Sequence, residues 1–148
     1  MMNQTQERIM KITGRQPNEC SCSHCRSQCH TPCLGTPEDI IKIIEAGYND
    51  KLKATLWLVG MKMNILPVPV PMIQPLQLES GCVFFCNGLC QLHDLGLKPT
   101  EGRLSGHTVW LDNFIPHMSL SYNVAIEWLK KENLPGIIKT FFLHETVR

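Results

Sequence analysis

The cysteines constrain this chain more than any other feature, because they fall into two groups. Residues 20–33 hold five cysteines in fourteen positions, and three more follow after 48 residues that contain none. The full set is Cys20, Cys22, Cys25, Cys29, Cys33, Cys82, Cys86 and Cys90. Short spacings within each group let one loop place two sulfurs on one ion, at a Zn–S distance of ~2.3 Å. The pattern predicts two halves of one metal site that folding brings together.

The surroundings of the cysteines favour metal ligation over disulfide bonds. The first eighteen residues contain no continuous apolar run of the secretory kind, so we expect a cytoplasmic location. Thiols are kept reduced in that compartment. Buried free cysteines that pack as small apolar side chains are the simplest alternative. The polar neighbours in residues 20–33, which include Ser, His, Arg, Gln and Thr, argue against that alternative for the first group.

The identity of the metal stays open at this stage. Thiolates suit zinc, iron–sulfur clusters and Cu(I) better than Mg²⁺ or Ca²⁺. More than four candidate ligands permit a cluster, two ions, or one ion with spare thiols, and no ferredoxin spacing matches. We therefore expect zinc or an iron–sulfur cluster. The strongest ligand candidates are Cys22, Cys25, Cys29, Cys82 and Cys90, followed by Cys33, with Cys20 and Cys86 last.

Three histidines lie within or next to the cysteine groups. His24 and His30 are inside the first group and His93 follows the second. Each could replace a sulfur or orient a ligand from outside the first coordination shell. A solvated or hydrogen-bonded histidine is the commoner case, so none is placed in the ligand set.

Length and pattern predict a small α+β fold with a cysteine-lined metal site, a β-hairpin and several helices. The 148 residues suffice for a single domain over 1–148, in which residues 1–18 form a flexible or helical lead. The predicted helices are residues 4–13 closed by Gly14, one that starts at Thr36-Pro37, a short one over 52–56, and 119–131. The predicted extended segments are an edge strand or polyproline segment at 67–71 and a strand at 109–115, while 137–144 is a helix or a strand.

Residues 82–93 predict a hairpin, because Asn87-Gly88 is a strong signal for a two-residue turn. Such a turn pairs Cys86 with Leu89 and leaves Cys90 on the other face of the hairpin from Cys82 and Cys86. A three-residue loop instead pairs Cys86 with Cys90 and puts all three thiols on one face. If all three bind one metal, the looser loop or a bulge is expected.

Composition argues against several classes of function. The chain has 14 Lys and Arg against 13 Asp and Glu, so it lacks the basic excess of a typical nucleic-acid binder. Its most apolar window, 54–73, carries three prolines and does not predict a membrane helix. The sequence contains no Ser-His-Asp pattern, phosphate loop or paired carboxylates. We expect a cytosolic metal-binding protein that is not itself an enzyme. The alternative is a redox protein or enzyme that uses an iron–sulfur cluster or a reactive cysteine.

The cysteine groups and the segments next to them follow one another in a defined order along the chain. A tight cysteine cluster precedes the helix start at residues 36–40 (TPEDI), and a second motif joins Cys82, Phe84 and Cys90 before an aliphatic residue. Residues 98–103 (KPTEGR) follow and are similar to an R-P-x-x-C-R segment. In this layout the chain resembles the YkgJ-like family of cysteine-rich zinc- or iron-chelating domains, known by the CxxCxxCC pattern. The resemblance covers about residues 20–107 and implies metal chelation.

The chain also departs from that family's pattern. The adjacent Cys-Cys pair is absent, because His30 follows Cys29, and Gly102 stands where the later motif has cysteine. Cys20, Cys33 and Cys86 are additional thiols that could compensate. The ligand set of this chain therefore need not be the one that the resemblance implies.

Overall fold

The computed structural model describes residues 2–17, 33–86, 89–105 and 115–147, which form a small α+β fold. The α-helices in this part of the chain are α1 (Gln4–Thr13), α2 (Pro37–Glu45), α3 (Val59–Lys62), α4 (Gln91–Asp94), α5 (Thr100–Leu104), α6 (Leu120–Ala125) and α7 (Leu134–Thr146). The strands are β1 (Leu52–Trp57), β2 (Val70–Pro75), β3 (Gln77–Leu78), β4 (Gly81–Cys82), β5 (Phe85–Cys86) and β6 (Leu89–Cys90). Short 3₁₀ helices cover Asn49–Lys51, Pro116–Met118, Ile126–Trp128 and Lys131–Asn133.

The first two helices begin where local capping signals predict. Asn3 caps α1, and Gly14 ends it with φ of 71°, a left-handed conformation that glycine adopts without a steric penalty. Thr36 caps α2 by accepting a hydrogen bond from the Asp39 amide at 3.2 Å, while Pro37 occupies the first helical position. The predicted helices at 4–13 and from Thr36-Pro37 are confirmed.

The largest sheet is an antiparallel pair of β1 and β2, in register from Leu52 opposite Pro75 to Trp57 opposite Val70. The short helix predicted over 52–56 is therefore wrong, because strand pairing with a distant segment overrides the local helix signal. Both strands are edges of this two-stranded sheet, and edge strands accept proline. Of the prolines in the edge strand predicted at 67–71, only Pro71 lies in β2.

The helix predicted over 119–131 is shorter in the structure. Ser119 caps α6, which ends at Ala125 and tightens into the 3₁₀ helix Ile126–Trp128. Glu127 is buried there and lies between Arg8, at 2.8 Å, and Lys130, at 2.5 Å. A 3₁₀ turn aligns residues three apart, which suits the contact between Glu127 and Lys130. In both contacts only Glu127 is buried, because the Arg8 and Lys130 side chains are 42% and 26% exposed.

The C-terminal segment is helical, which resolves the choice left open for 137–144. Pro135 lies in the first turn of α7, and the helix continues to Thr146. Thr140 is fully buried, and its hydroxyl donates to the Gly136 carbonyl at 2.6 Å. The strand predicted at 109–115 lies outside the described residues except for Ile115, which is not in a strand.

The core lies between α2, the β1–β2 sheet and the α6–α7 region. Ile40 and Ile43 of α2 and Ile73 of β2 are completely buried. Trp128 is also buried, and its indole Nε1 donates to the Gly35 carbonyl at 2.8 Å. Cys82, Phe84 and Leu92 belong to the same apolar cluster, so one cysteine group adjoins the core. Within the described ranges, no helix is both long enough and apolar enough to cross a bilayer.

Candidate metal centre

The fold brings the last cysteine of the first group to the second group. Cys33 leads into α2, Cys82 ends β4 and Cys90 ends β6. Their side chains line one small cavity of about 10 Å³, close to the lower limit for one water molecule. The other lining residues are Pro75, Phe84, Phe85, Leu92 and Pro99. Thiols 49 residues apart, at Cys33 and Cys82, thus face a common apolar enclosure.

Two hydrogen bonds between Leu34 and Glu101 of α5 fix the position of Cys33. The Leu34 amide donates to Glu101 Oε1 at 3.0 Å, and the Glu101 amide donates to the Leu34 carbonyl at 3.1 Å. This reciprocal pair holds the segment after Cys33 against the first turn of α5. Cys33 is therefore placed by contacts that span 67 positions of sequence.

A single buried carboxylate joins the start of α2 to the start of α5. Asp39 Oδ2 accepts hydrogen bonds from the Thr36 amide at 2.9 Å, the Thr100 amide at 2.9 Å and the Thr100 hydroxyl at 2.6 Å. Gln6 of α1 adds a further link, because its Nε2 donates to the Thr100 hydroxyl at 3.1 Å. A carboxylate at two helix N-termini satisfies free amides and interacts favourably with both helix dipoles. Asp39 thereby stabilises the framework behind Cys33.

Two short hairpins position the second cysteine group. β3 pairs with β4, and β5 pairs with β6 so that Cys86 lies opposite Leu89 and Phe85 lies opposite Cys90. This is the two-residue connection, the first of the two alternatives, and not the looser loop or bulge expected if all three thiols bind one metal. That expectation assumed one continuous strand from Cys82 to Cys86. The chain instead turns at 83–84, which lets Cys82 and Cys90 meet while Cys86 is exposed.

The thiols lie in surroundings that oppose negative charge. Burial raises the pKa of Cys33, and Glu101, Cys90 and Cys82 raise it further, while Lys98 acts in the opposite direction. Burial also raises the pKa of Cys82, against hydrogen bonding from the Phe84 amide. Neutral thiols are weak nucleophiles, so these two do not resemble reactive cysteines. A bound metal cation would reverse the balance, because it deprotonates its thiol ligands.

Position 102 adjoins the thiol cavity. A Cβ atom added at Gly102 would lie 3.1 Å from Cys33 Sγ and 3.0 Å from Lys98 Cε. Position 102, where the resembled family has cysteine, is thus beside Cys33. The close contacts leave little space for a side chain at this point unless Lys98 moves. Nearby, burial raises the pKa of Glu101 to about 7, although the Leu34 amide favours its charged form.

The remaining sequence candidates fall into two sets. Cys86 and His93 are exposed, and the cavity lining includes neither. The candidates outside the described residues are Cys20, Cys22, Cys25, Cys29, His24 and His30.

Thiols suit a thiophilic metal, but the described residues alone form no metal-binding group. Within residues 2–17, 33–86, 89–105 and 115–147, no group of three or more Cys, His, Asp or Glu side chains has an arrangement that could hold an ion. Cys33, Cys82 and Cys90 would be the thiolate ligands from this part of the chain. Structural zinc sites use four ligands, so these three thiols alone would not complete one.

Comparisons with known proteins give no relative from which a function could be transferred. No family model matches this chain. Curated proteins and solved structures likewise yield no match. The function must therefore be inferred from the residues themselves.

Sequence reasoning missed the residues that support the thiols. Asp39 and Glu101 carry no motif of metal ligation, and their partners lie 61 and 67 residues away. The capping pattern at Thr36 to Asp39 was visible, but it indicates a helix start only. The local sequence contains no signal that the Asp39 carboxylate also accepts hydrogen bonds from Thr100 of α5.

Proposed function

We propose that this chain is a cytoplasmic metal-binding protein that holds zinc, or alternatively an iron–sulfur centre, through clustered thiolates and performs no reaction itself. The observation that carries the proposal is the meeting of Cys33 with Cys82 and Cys90 in one enclosure. Thiols from both sequence groups converge there. Unrelated buried cysteines would not be expected to do so.

Thiol donors in apolar surroundings suit a structural zinc ion. One zinc ion requires four ligands at ~2.0–2.3 Å and no open position when its role is structural. In this proposal the thiolate ligands come from Cys33, Cys82 and Cys90 together with cysteines among residues 20–29, because the described residues alone form no metal-holding group. The metal is the partner we propose; nearly balanced charge gives no reason to add nucleic acid.

The pKa directions of two thiols argue against nucleophilic catalysis. Burial and neighbouring acidic groups disfavour the thiolate at Cys33, whereas catalytic cysteines lie in electropositive surroundings. A metal would supply the positive charge that these thiols otherwise lack. Cys82 follows the same logic, since burial raises its pKa as well. The raised pKa values thus count against a nucleophilic role for both residues.

A pair of serine variants tests this proposal. Cys33→Ser removes a thiol from the enclosure, whereas Cys86→Ser changes an exposed thiol and is the matched control. Both proteins are purified without oxygen, and bound metal is released and titrated with a chromogenic chelator. We expect about one zinc per chain in Cys86→Ser and a loss of most metal in Cys33→Ser. Equal metal content in the two variants would contradict the proposed site.

A visible spectrum separates zinc from the alternative. Zinc-loaded protein is colourless, while an iron–sulfur centre absorbs in the visible range and bleaches on reduction. A reversible redox-dependent spectrum with stoichiometric iron would favour the redox protein. Colourless protein that retains zinc and has unreactive thiols at Cys33 and Cys82 would favour the structural role.

A further inference from the structure

A second cavity, separate from the thiol enclosure, is formed by α1, α2, α5 and the loop before α5. Its volume is about 320 Å³, within the range of small-molecule sites. Three cationic side chains line it: Lys42 of α2, Lys98 of the loop and Arg103 of α5. The amide side chains of Asn3 and Gln6 complete the polar wall on the side of α1. Positive charge is therefore concentrated in a concave, polar site.

Arg103 is fixed in this cavity by backbone carbonyl groups. Its Nε donates to the Lys98 carbonyl at 2.9 Å, and its Nη2 donates to the Gly96 carbonyl at 2.7 Å. These bonds leave its charge uncompensated, because carbonyl oxygens carry no formal charge. The remaining nitrogen, Nη1, has the weak acceptor Met2 Sδ at 3.9 Å. Arg103 thus shapes the loop and retains its positive charge in the cavity.

The two lysines add charge that is only partly balanced. Lys42 pairs with Glu38 at 3.5 Å, in a contact between two exposed side chains that contributes little. The Lys98 ammonium forms no hydrogen bond or ion pair within the described part of the chain, although it favours the charged form of Cys33. Its partly buried position brings the ammonium charge to the cavity wall. Lys98 is therefore the principal candidate for direct contact with a ligand.

The acid that lines the cavity is already used in folding. Asp39 Oδ2 accepts hydrogen bonds from the Thr36 amide, the Thr100 amide and the Thr100 hydroxyl. Three cations and this carboxylate give the lining a formal charge of +2. A phosphate monoester carries about −1.5 to −2 at pH 7 and offers three acceptor oxygens. Its charge complements the lining better than that of a single carboxylate.

We propose that this cavity binds a small molecule through a phosphate group, with Lys98 and Lys42 as direct contacts and Arg103 as a fixed cation. None of the charged residues in this cavity is a proposed metal ligand, although Lys98 also lies near Cys33. The cavity is larger than inorganic phosphate alone, which leaves room for an organic portion.

The test is a titration of the full chain with inorganic phosphate at constant ionic strength, followed by ¹H–¹⁵N NMR. We expect saturable shifts at the amides of residues 96–98 and 103. Lys98→Met should weaken binding about tenfold or more, since charge-assisted contacts to phosphate are the strong ones. Lys42→Met should weaken it about threefold, because that lysine is more exposed and shares its charge with Glu38.

Lys139→Met is the matched control, since Lys139 is exposed on α7 and does not line the cavity. It should leave the phosphate affinity unchanged. The absence of saturable shifts, or an equal loss in Lys139→Met and Lys98→Met, would overturn the site. Equal affinity for succinate would overturn its assignment to phosphate. If Lys98→Met does not give a dispersed folded spectrum, Lys42→Met decides the outcome, and unchanged affinity in that variant overturns the proposal.

Discussion

Replacing Asp39 tests the framework that holds the candidate metal centre. The buried Oδ2 atom accepts three hydrogen bonds, from the Thr36 amide, the Thr100 amide and the Thr100 hydroxyl. Asp39→Ala removes the acceptor and leaves these donors without it. Each lost capping or buried bond typically destabilises by about 1 kcal/mol, so the sum is about 3 kcal/mol. Asp39→Asn retains an acceptor oxygen but not the charge, and we expect a loss of about 1–2 kcal/mol.

The free energy of unfolding is measured by urea titration with circular dichroism detection, on metal-free protein. Glu38→Ala is the control, because it removes a neighbouring acid that is exposed and pairs weakly with Lys42. We expect that change to alter stability by less than about 0.5 kcal/mol. The m-value should stay constant across the series, so that midpoint shifts report stability. An Asp39→Ala protein within 1 kcal/mol of the parent would refute the proposed role of this carboxylate.

Three further predictions concern pH, packing and metal removal. Burial raises the folded-state pKa of Glu101 to about 7, so its contribution to metal-free stability is present at low pH and is lost as pH rises from about 4.5 through 7. Glu101→Gln should remove that pH dependence, which is worth about 1–2 kcal/mol after allowance for partial exposure. Denaturant titrations at pH 5 and pH 8 measure the difference in unfolding free energy. The same difference in the variant and the parent would count against the raised pKa. Trp128→Phe loses the hydrogen bond from Nε1 to the Gly35 carbonyl and some packing. The free energy of unfolding in urea titrations should therefore fall by about 2 kcal/mol. A change below about 0.5 kcal/mol would argue against this contact. Removing the metal with a chelator should lower the melting temperature and speed amide exchange around residues 82–90 first, and identical melting curves would speak against coupling of metal to folding.

The elements that the sequence predicts well are those with complete local signals. α1 and α2 both begin with a capping residue, and α2 adds Pro37 at its first position. Such signals act within one turn of helix and do not need the rest of the fold. The error over 52–56 has the opposite cause. Its strand character comes from pairing with β2, whose partner residues lie up to 23 positions away.

In the candidate site, too, some features follow from the local sequence and others from distant contacts. Grouped cysteines predict that two segments meet, and Cys33, Cys82 and Cys90 do share one enclosure. The detailed arrangement could not be read from spacing, because a turn at 83–84 changes which face Cys82 occupies. The support from Asp39 and Glu101 depends on contacts over 61 and 67 residues. Contacts at such separations follow from the packed fold and leave no periodic trace in the sequence.

Metal content of the native chain tests the central proposal most directly. The protein is purified without oxygen, with no metal added and no affinity tag that binds metal, and its zinc and iron are determined by elemental analysis against protein concentration. We predict about one zinc per chain and little iron. Stoichiometric iron would instead indicate the iron–sulfur alternative. Absence of both metals at stoichiometric levels would contradict the proposal that these thiols form a metal centre.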